Sequence, residues 1–89
     1  MANLYLIDKP FADSALGLAR EDPDAEVVLL QDGVYLSVEP LLAARKKVYA
    51  LERDVERRGL SSKIGNDVKL IDYHQLVDLL FANKVLNFS

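Results

Sequence analysis

The run Val27-Val-Leu-Leu30, entering Gln31-Asp32-Gly33, constrains this chain more than any other stretch. Unbroken apolar sequence of strand length, closed by a turn signal, suits a strand buried on both faces. Such strands belong mainly to parallel sheets with helices on either side. Open α/β sheets gather their working groups at the carboxyl ends of those strands. The segments around the run fit that scheme.

Ala2 to Ile7 reads as a first strand, and Pro10 forbids its continuation in mid-sheet because it lacks an amide hydrogen. Asp13 is a suitable cap for a helix through Arg20, with Ala15, Leu16, Leu18 and Ala19 on the sheet side. Gly17 weakens that helix by roughly 1 kcal/mol relative to alanine. A short helix is expected after Gly33 through Val38, and Pro40 can open another turn into Leu41. Lys47 to Leu51 has the β-branched and aromatic residues of a third strand.

Glu52 to Arg58 reads as an exposed, highly charged helix, stopped by Gly59 in the left-handed conformation with Leu60 as its apolar contact. Ser61 to Asp67 is a polar loop around Ile64, and Val68 to Ile71 is a fourth strand. Asp72 and Gln75 match a capping box. Leu76, Val77, Leu80 and Phe81 then fall on one helical face. The tail Lys84 to Phe88 suits either a last strand or an arm laid on a neighbour. Strand and helix alternate throughout, which predicts one α/β domain over residues 1–89. Its expected architecture is three-layer α/β/α around a mainly parallel, four- to five-stranded Rossmann-like sheet.

Composition narrows the chemistry. The 89 residues contain no cysteine, which excludes a disulfide, a thiolate nucleophile and a thiolate metal site. A single histidine leaves only carboxylates for a metal, without a supporting spacing. The net charge of −3 provides no basic face for direct nucleic-acid binding. Asp8 interrupts the apolar run where a secretory signal would continue, and no stretch approaches bilayer-spanning length. A cytoplasmic protein away from the membrane is therefore expected. Hydrophobic residues are 51% of a chain whose thin sandwich needs few inside, so apolar surface reserved for partner subunits is predicted.

The strand-end loops should bring together Asp8 and Lys9; Gln31, Asp32 and Gly33; Glu52 and Arg53; and Asp72, Tyr73 and His74. Asp32 with His74 could form an acid–base pair. His74, however, falls at an exposed second helical position, and Asp32 before Gly33 suits a cap or an ordered turn. Glycines 17, 33, 59 and 65 form no nucleotide fingerprint. A helix opening at Gly33 could seat an anion, but Asp32 would repel it. Tyr35 and Tyr49 read as packed aromatics. No catalytic, cofactor-binding or metal-binding residue is assigned.

Val28-Leu-Leu-Gln-Asp-Gly-Val-Tyr35 resembles the signature segment of the DsrH/TusB family of sulfur-relay proteins. The resemblance continues in order through Lys47-Val-Tyr-Ala-Leu51, Arg58-Gly-Leu60, Ile64-Gly-Asn-Asp67 and Leu70-Ile-Asp-Tyr73, with an apolar helix after them. It implies a small Rossmann-like domain that assembles with homologous DsrE/TusD-like and DsrF/TusC-like subunits. One of those carries a cysteine that takes and passes on persulfide sulfur. In cysteine-bearing relatives the thiol lies at the end of the strand before a similar Arg-Gly block, which corresponds to the neighbourhood of Leu51 here. Persulfide transfer needs a thiolate.

The expectation is therefore a non-catalytic subunit that shapes a docking surface beside a partner's cysteine. Asp32, Gly33, Tyr35 and Leu36, with Phe88 in the tail, are the candidate partner interface. The resemblance leaves open transfer-RNA wobble-uridine 2-thiolation or dissimilatory sulfur oxidation. Outside sulfur metabolism, the alternatives are a homo-oligomeric adaptor or regulator and a cysteine-free enzyme using Asp32 and His74. Absence of cysteine-bearing relatives near its gene would favour the adaptor. Unchanged turnover of His74→Ala would remove the enzyme.

Overall fold

The computed structural model describes residues 2–65 and 67–89. Five strands form one sheet: β1 (Asn3–Ile7), β2 (Ala25–Leu29), β3 (Lys47–Leu51), β4 (Val68–Ile71) and β5 (Lys84–Phe88). Their order is β4-β3-β2-β1-β5, and every neighbouring pair is parallel. The tail is thus a strand of its own sheet, with Phe88 in register with Ile7.

Helices α1 (Ala12–Glu21), α2 (Glu39–Ala43) and α3 (Glu52–Arg57) link successive strands running one way across the sheet. Right-handed crossovers put all three on the same face. There Ala15, Ala19, Leu41 and Val55 pack on Tyr5, Ile7, Val27, Leu29 and Val48. The chain reverses direction after β4, so α4 (Tyr73–Ala82) crosses the opposite face. Leu76, Leu79 and Leu80 meet Leu4, Val28, Leu51 and Ile71 there. This is a three-layer α/β/α arrangement with three helices on one side and one on the other. No helix among the described residues is long and apolar enough to cross a membrane.

Several local expectations shift. Asp13 does not cap the first helix. Asp8 instead caps a preceding 3₁₀ turn, Lys9–Phe11, by accepting from the Lys9 amide at 2.6 Å. Pro10, with φ already near the helical value, starts the winding early and leaves Asp13 inside the first turn of α1. Leu18 is exposed, because Ala15 and Ala19 take the sheet side.

The helix expected after Gly33 is a 3₁₀ turn over Gln31–Tyr35, beginning two residues sooner. The α3 helix is not wholly exposed, since Asp54 and Val55 are buried. On α4 the apolar set divides. Leu76 and Leu80 join Leu79 against the sheet, whereas Val77 and Phe81 point outward.

Both helix ends marked by positive φ are closed in the same way. At Gly59 (φ 65) the Leu60 amide reaches the Val55 carbonyl at 3.0 Å and the Gly59 amide reaches Glu56 at 3.1 Å. At Arg45 (φ 61) the Lys46 and Arg45 amides reach Leu41 and Leu42 at 2.9 and 3.0 Å. These are Schellman closures, one with the expected glycine and one without it. The Asp72–Gln75 capping box is present in both directions, at 2.8 and 3.0 Å. Asn66, within the Ile64–Asp67 segment, lies outside the described residues.

Candidate functional site

The carboxyl ends of β2, β3 and β4 open into a cleft of about 650 Å³. Its floor is apolar: Leu30 leaving β2, Leu51 ending β3, and Leu76 on α4. Tyr35 and Tyr73 form walls, and Gln31, Asp32, Arg57 and Arg58 supply the polar rim. Strand-end placement explains why residues from three separate segments meet here.

Asp54 anchors the site. Only 6% exposed, it is the sole charged residue buried among those described. Its Oδ2 accepts the Gln31 amide at 2.8 Å, and its Oδ1 lies 3.5 Å from Arg58 Nη1. Arg58 Nε in turn donates to Asp32 Oδ1 at 3.0 Å. The hydrogen bond to Asp32 is the first of the causes that hold the Arg58 guanidinium more firmly charged than usual. Gln31 itself has φ 50, a left-handed conformation costly for a residue with a Cβ. The Asp54 carboxylate thus ties a strained turn to α3, and the turn presents Asp32 and Tyr35.

Gly33 has a different part. A Cβ on it would fall 2.2 Å from the Ile7 carbonyl oxygen, so only glycine lets the turn lie against the end of β1. It is buried, and its own surface is not offered to a partner. Leu36 is half-buried against the main core. Phe88 stacks on Tyr5 with ring centroids 5.8 Å apart, on the face covered by α1 and away from the cleft. Of the five candidate interface residues, the structure brings only Asp32 and Tyr35 together on the cleft rim. Tyr35 is 52% exposed and not a packed aromatic, because the 3₁₀ turn buries Gly33 and Val34 instead.

Asp32 and His74 do not form a pair. Asp32 is engaged by Arg58, and exposed His74 does not line the cleft. No cluster of three potential metal ligands exists among the described residues. The i+3 and i+4 spacings of Arg57 and Arg58 from Asp54 suit exposed helical ion pairs; the structure has the Arg58 pair, but buries Asp54 and adds the Gln31 amide, which the spacing does not foretell. Sequence reasoning gave Tyr73 no separate role. Nothing in the charge pattern of α3 distinguishes the one acid that turns inward.

A family model described as DsrH like protein matches residues 10–85. Protein TusB of Escherichia coli is 48% identical over 60 residues, which cover 61% of this chain and 63% of that protein. Protein TusB of Pectobacterium parmentieri is 39% identical over 74 residues, covering 76% and 78% of the two chains. The match therefore spans less than two thirds of the Escherichia coli relatives' length. The crystal structure of the ychN protein from Escherichia coli has the same fold, with a TM-score of 0.81 over 99% of both chains at 19% identity. With the cleft-forming strands, the Arg-Gly stop and the capped last helix all inside the matched region, the chain belongs to the DsrH family.

Proposed function

We propose that this chain is a non-catalytic subunit of a sulfur relay, supporting persulfide transfer by a cysteine-bearing homologous partner toward transfer-RNA wobble-uridine 2-thiolation. One observation carries the reading. The chain has a strand-end cleft but no cysteine anywhere in its sequence, and the end of β3 supplies buried Leu51 to the floor. Sulfane sulfur is held and passed by a thiolate, so the covalent steps fall to another chain. What remains useful here is the rim. Asp32 and Tyr35 stand on a turn braced by Asp54, with apolar surface beneath. A braced turn keeps the ordering cost of docking low. The partners in this reading are DsrE/TusD-like and DsrF/TusC-like subunits, and the names of the TusB relatives favour transfer-RNA modification over sulfur oxidation.

Affinity capture from lysate of the source organism, followed by native mass spectrometry, tests the proposal. Small cysteine-bearing homologues should be retained in fixed ratio and lost with Tyr35→Ala or Asp32→Lys while the variants stay folded. Retention of no such chain, under conditions that preserve weak complexes, would overturn it.

A further inference from the structure

The cleft lies where the connections of the sheet part. β3 and β4 are neighbours, but β3 leads into α3 on one face and β4 into α4 on the other. Adjacent strands whose connections leave in opposite directions open a crevice at their carboxyl ends, where open α/β sheets bind their ligands. Gln31 reaches this crevice from the turn after β2. It is exposed, and its backbone is held at φ 50, the left-handed region that suits glycine and opposes a Cβ. Asp54 engages the backbone amide, yet the side-chain carboxamide makes no hydrogen bond among the described residues. The fold therefore keeps a glutamine where glycine would be the easier residue, and makes no use of its side chain. A backbone outlier of this kind, at a cleft, points to function.

We infer that Gln31 determines which chain docks in this cleft, its carboxamide pairing with a backbone amide of the loop that the cysteine-bearing partner inserts between the ends of β3 and β4. The inference rests on the sulfur-relay reading for the identity of that partner. A primary carboxamide offers an acceptor and donors side by side, which match the C=O and N–H of an extended peptide in two parallel hydrogen bonds. The charges around it cancel, Asp32 and Asp54 against Arg57 and Arg58. Such a cleft suits a neutral backbone and not a phosphodiester, which calls for a basic face. Leu30, Leu51 and Leu76 beneath supply apolar contact for the side chains of the loop. Because Asp54 holds the Gln31 backbone in place before docking, less ordering remains when the partner arrives.

The test titrates the purified full chain and its Gln31 variants with the cysteine-bearing homologue recovered by capture, and follows the thermal unfolding of each variant alone. Gln31→Gly keeps the amide hydrogen that Asp54 accepts and relieves the positive φ, so its Tm should rise by about 4–8 °C. Its affinity for the partner should nevertheless fall at least about 10-fold, through the loss of two hydrogen bonds. Gln31→Met, similar in length without the amide, should fall as far, and Gln31→Asn should recover part of the affinity. A role confined to stability would move both readouts together, so opposite shifts support the inference. A partner affinity of Gln31→Gly within about 2-fold of the parent overturns it and leaves the sulfur-relay reading standing. Binding of a short fluorescein-labelled oligouridine that is lost with Gln31→Gly also overturns it, since the carboxamide would then serve a nucleobase. If the parent retains no cysteine-bearing chain, the sulfur-relay reading falls and this inference falls with it.

Discussion

Replacing Asp54 by alanine removes the acceptor of the Gln31 amide and the buried charge facing Arg58 in one step. A hydrogen bond to a charged group contributes about 1.5–3 kcal/mol. Gln31 is also held at φ 50, where a non-glycine residue carries about 1–2 kcal/mol of unfavourable conformational energy. Without Asp54 the turn can relax, which returns part of the loss. The balance is a destabilisation of about 3 kcal/mol, at the low end for breaking a buried ion pair. That is a large share of the roughly 5–13 kcal/mol expected for a domain of this length. It corresponds to a fall in Tm of about 12–24 °C.

Asp54→Asn keeps an oxygen for the Gln31 amide but discards the charge, and should lose about half as much. Urea unfolding followed by circular dichroism measures both variants, and the Gln31 amide resonance reports the turn directly. If Asp54→Ala unfolds within about 0.5 kcal/mol of the parent, the size of an ordinary surface substitution, the bracing argument fails.

Gly33→Ala should destabilise by about 2–3 kcal/mol, because the obstacle to the new methyl is the Ile7 backbone carbonyl and not a movable side chain; chemical denaturation would reveal an unchanged midpoint if the close approach were absent. Arg45→Gly should stabilise by about 1 kcal/mol, since the α2 closure needs φ 61 and an arginine Cβ opposes it; a lower Tm would contradict this. The Asp22 carboxylate accepts from Asn3 Nδ2 at 2.8 Å, the Asp24 amide at 2.9 Å and Tyr5 Oη at 3.0 Å. The bond from Asn3 does most to hold its carboxyl below the ordinary 3.8. A depressed carboxyl stabilises the fold above its unfolded value and loses that contribution as pH falls through the folded one. Asp22→Asn should therefore flatten the decline in stability below pH 3.8 and leave the slope near neutrality unchanged; an unaltered acid limb in a pH series of unfolding curves would count against it.

Local chemistry in the sequence was enough for the elements and the sheet type. The apolar run at Val27, the glycine stop at Gly59 and the Asp72–Gln75 box each act over one or two turns of chain, where nearest-neighbour rules hold. Alternation of strand and helix then determined a parallel sheet, and the absent cysteine removed thiol chemistry. Tertiary structure alone decided the rest. Whether the tail became a strand depended on the free edge of β1, more than seventy residues away in sequence. Asp54 is one acid in the charged helix Glu52–Arg57, and only the approach of the Gln31 turn gives it a buried partner. Leu76, Val77, Leu80 and Phe81 share an apolar pattern, but the rotation of α4 on the sheet chose which pair to bury. Periodicity records that a residue is apolar. Its direction follows from how a helix sits on surfaces contributed by distant parts of the chain.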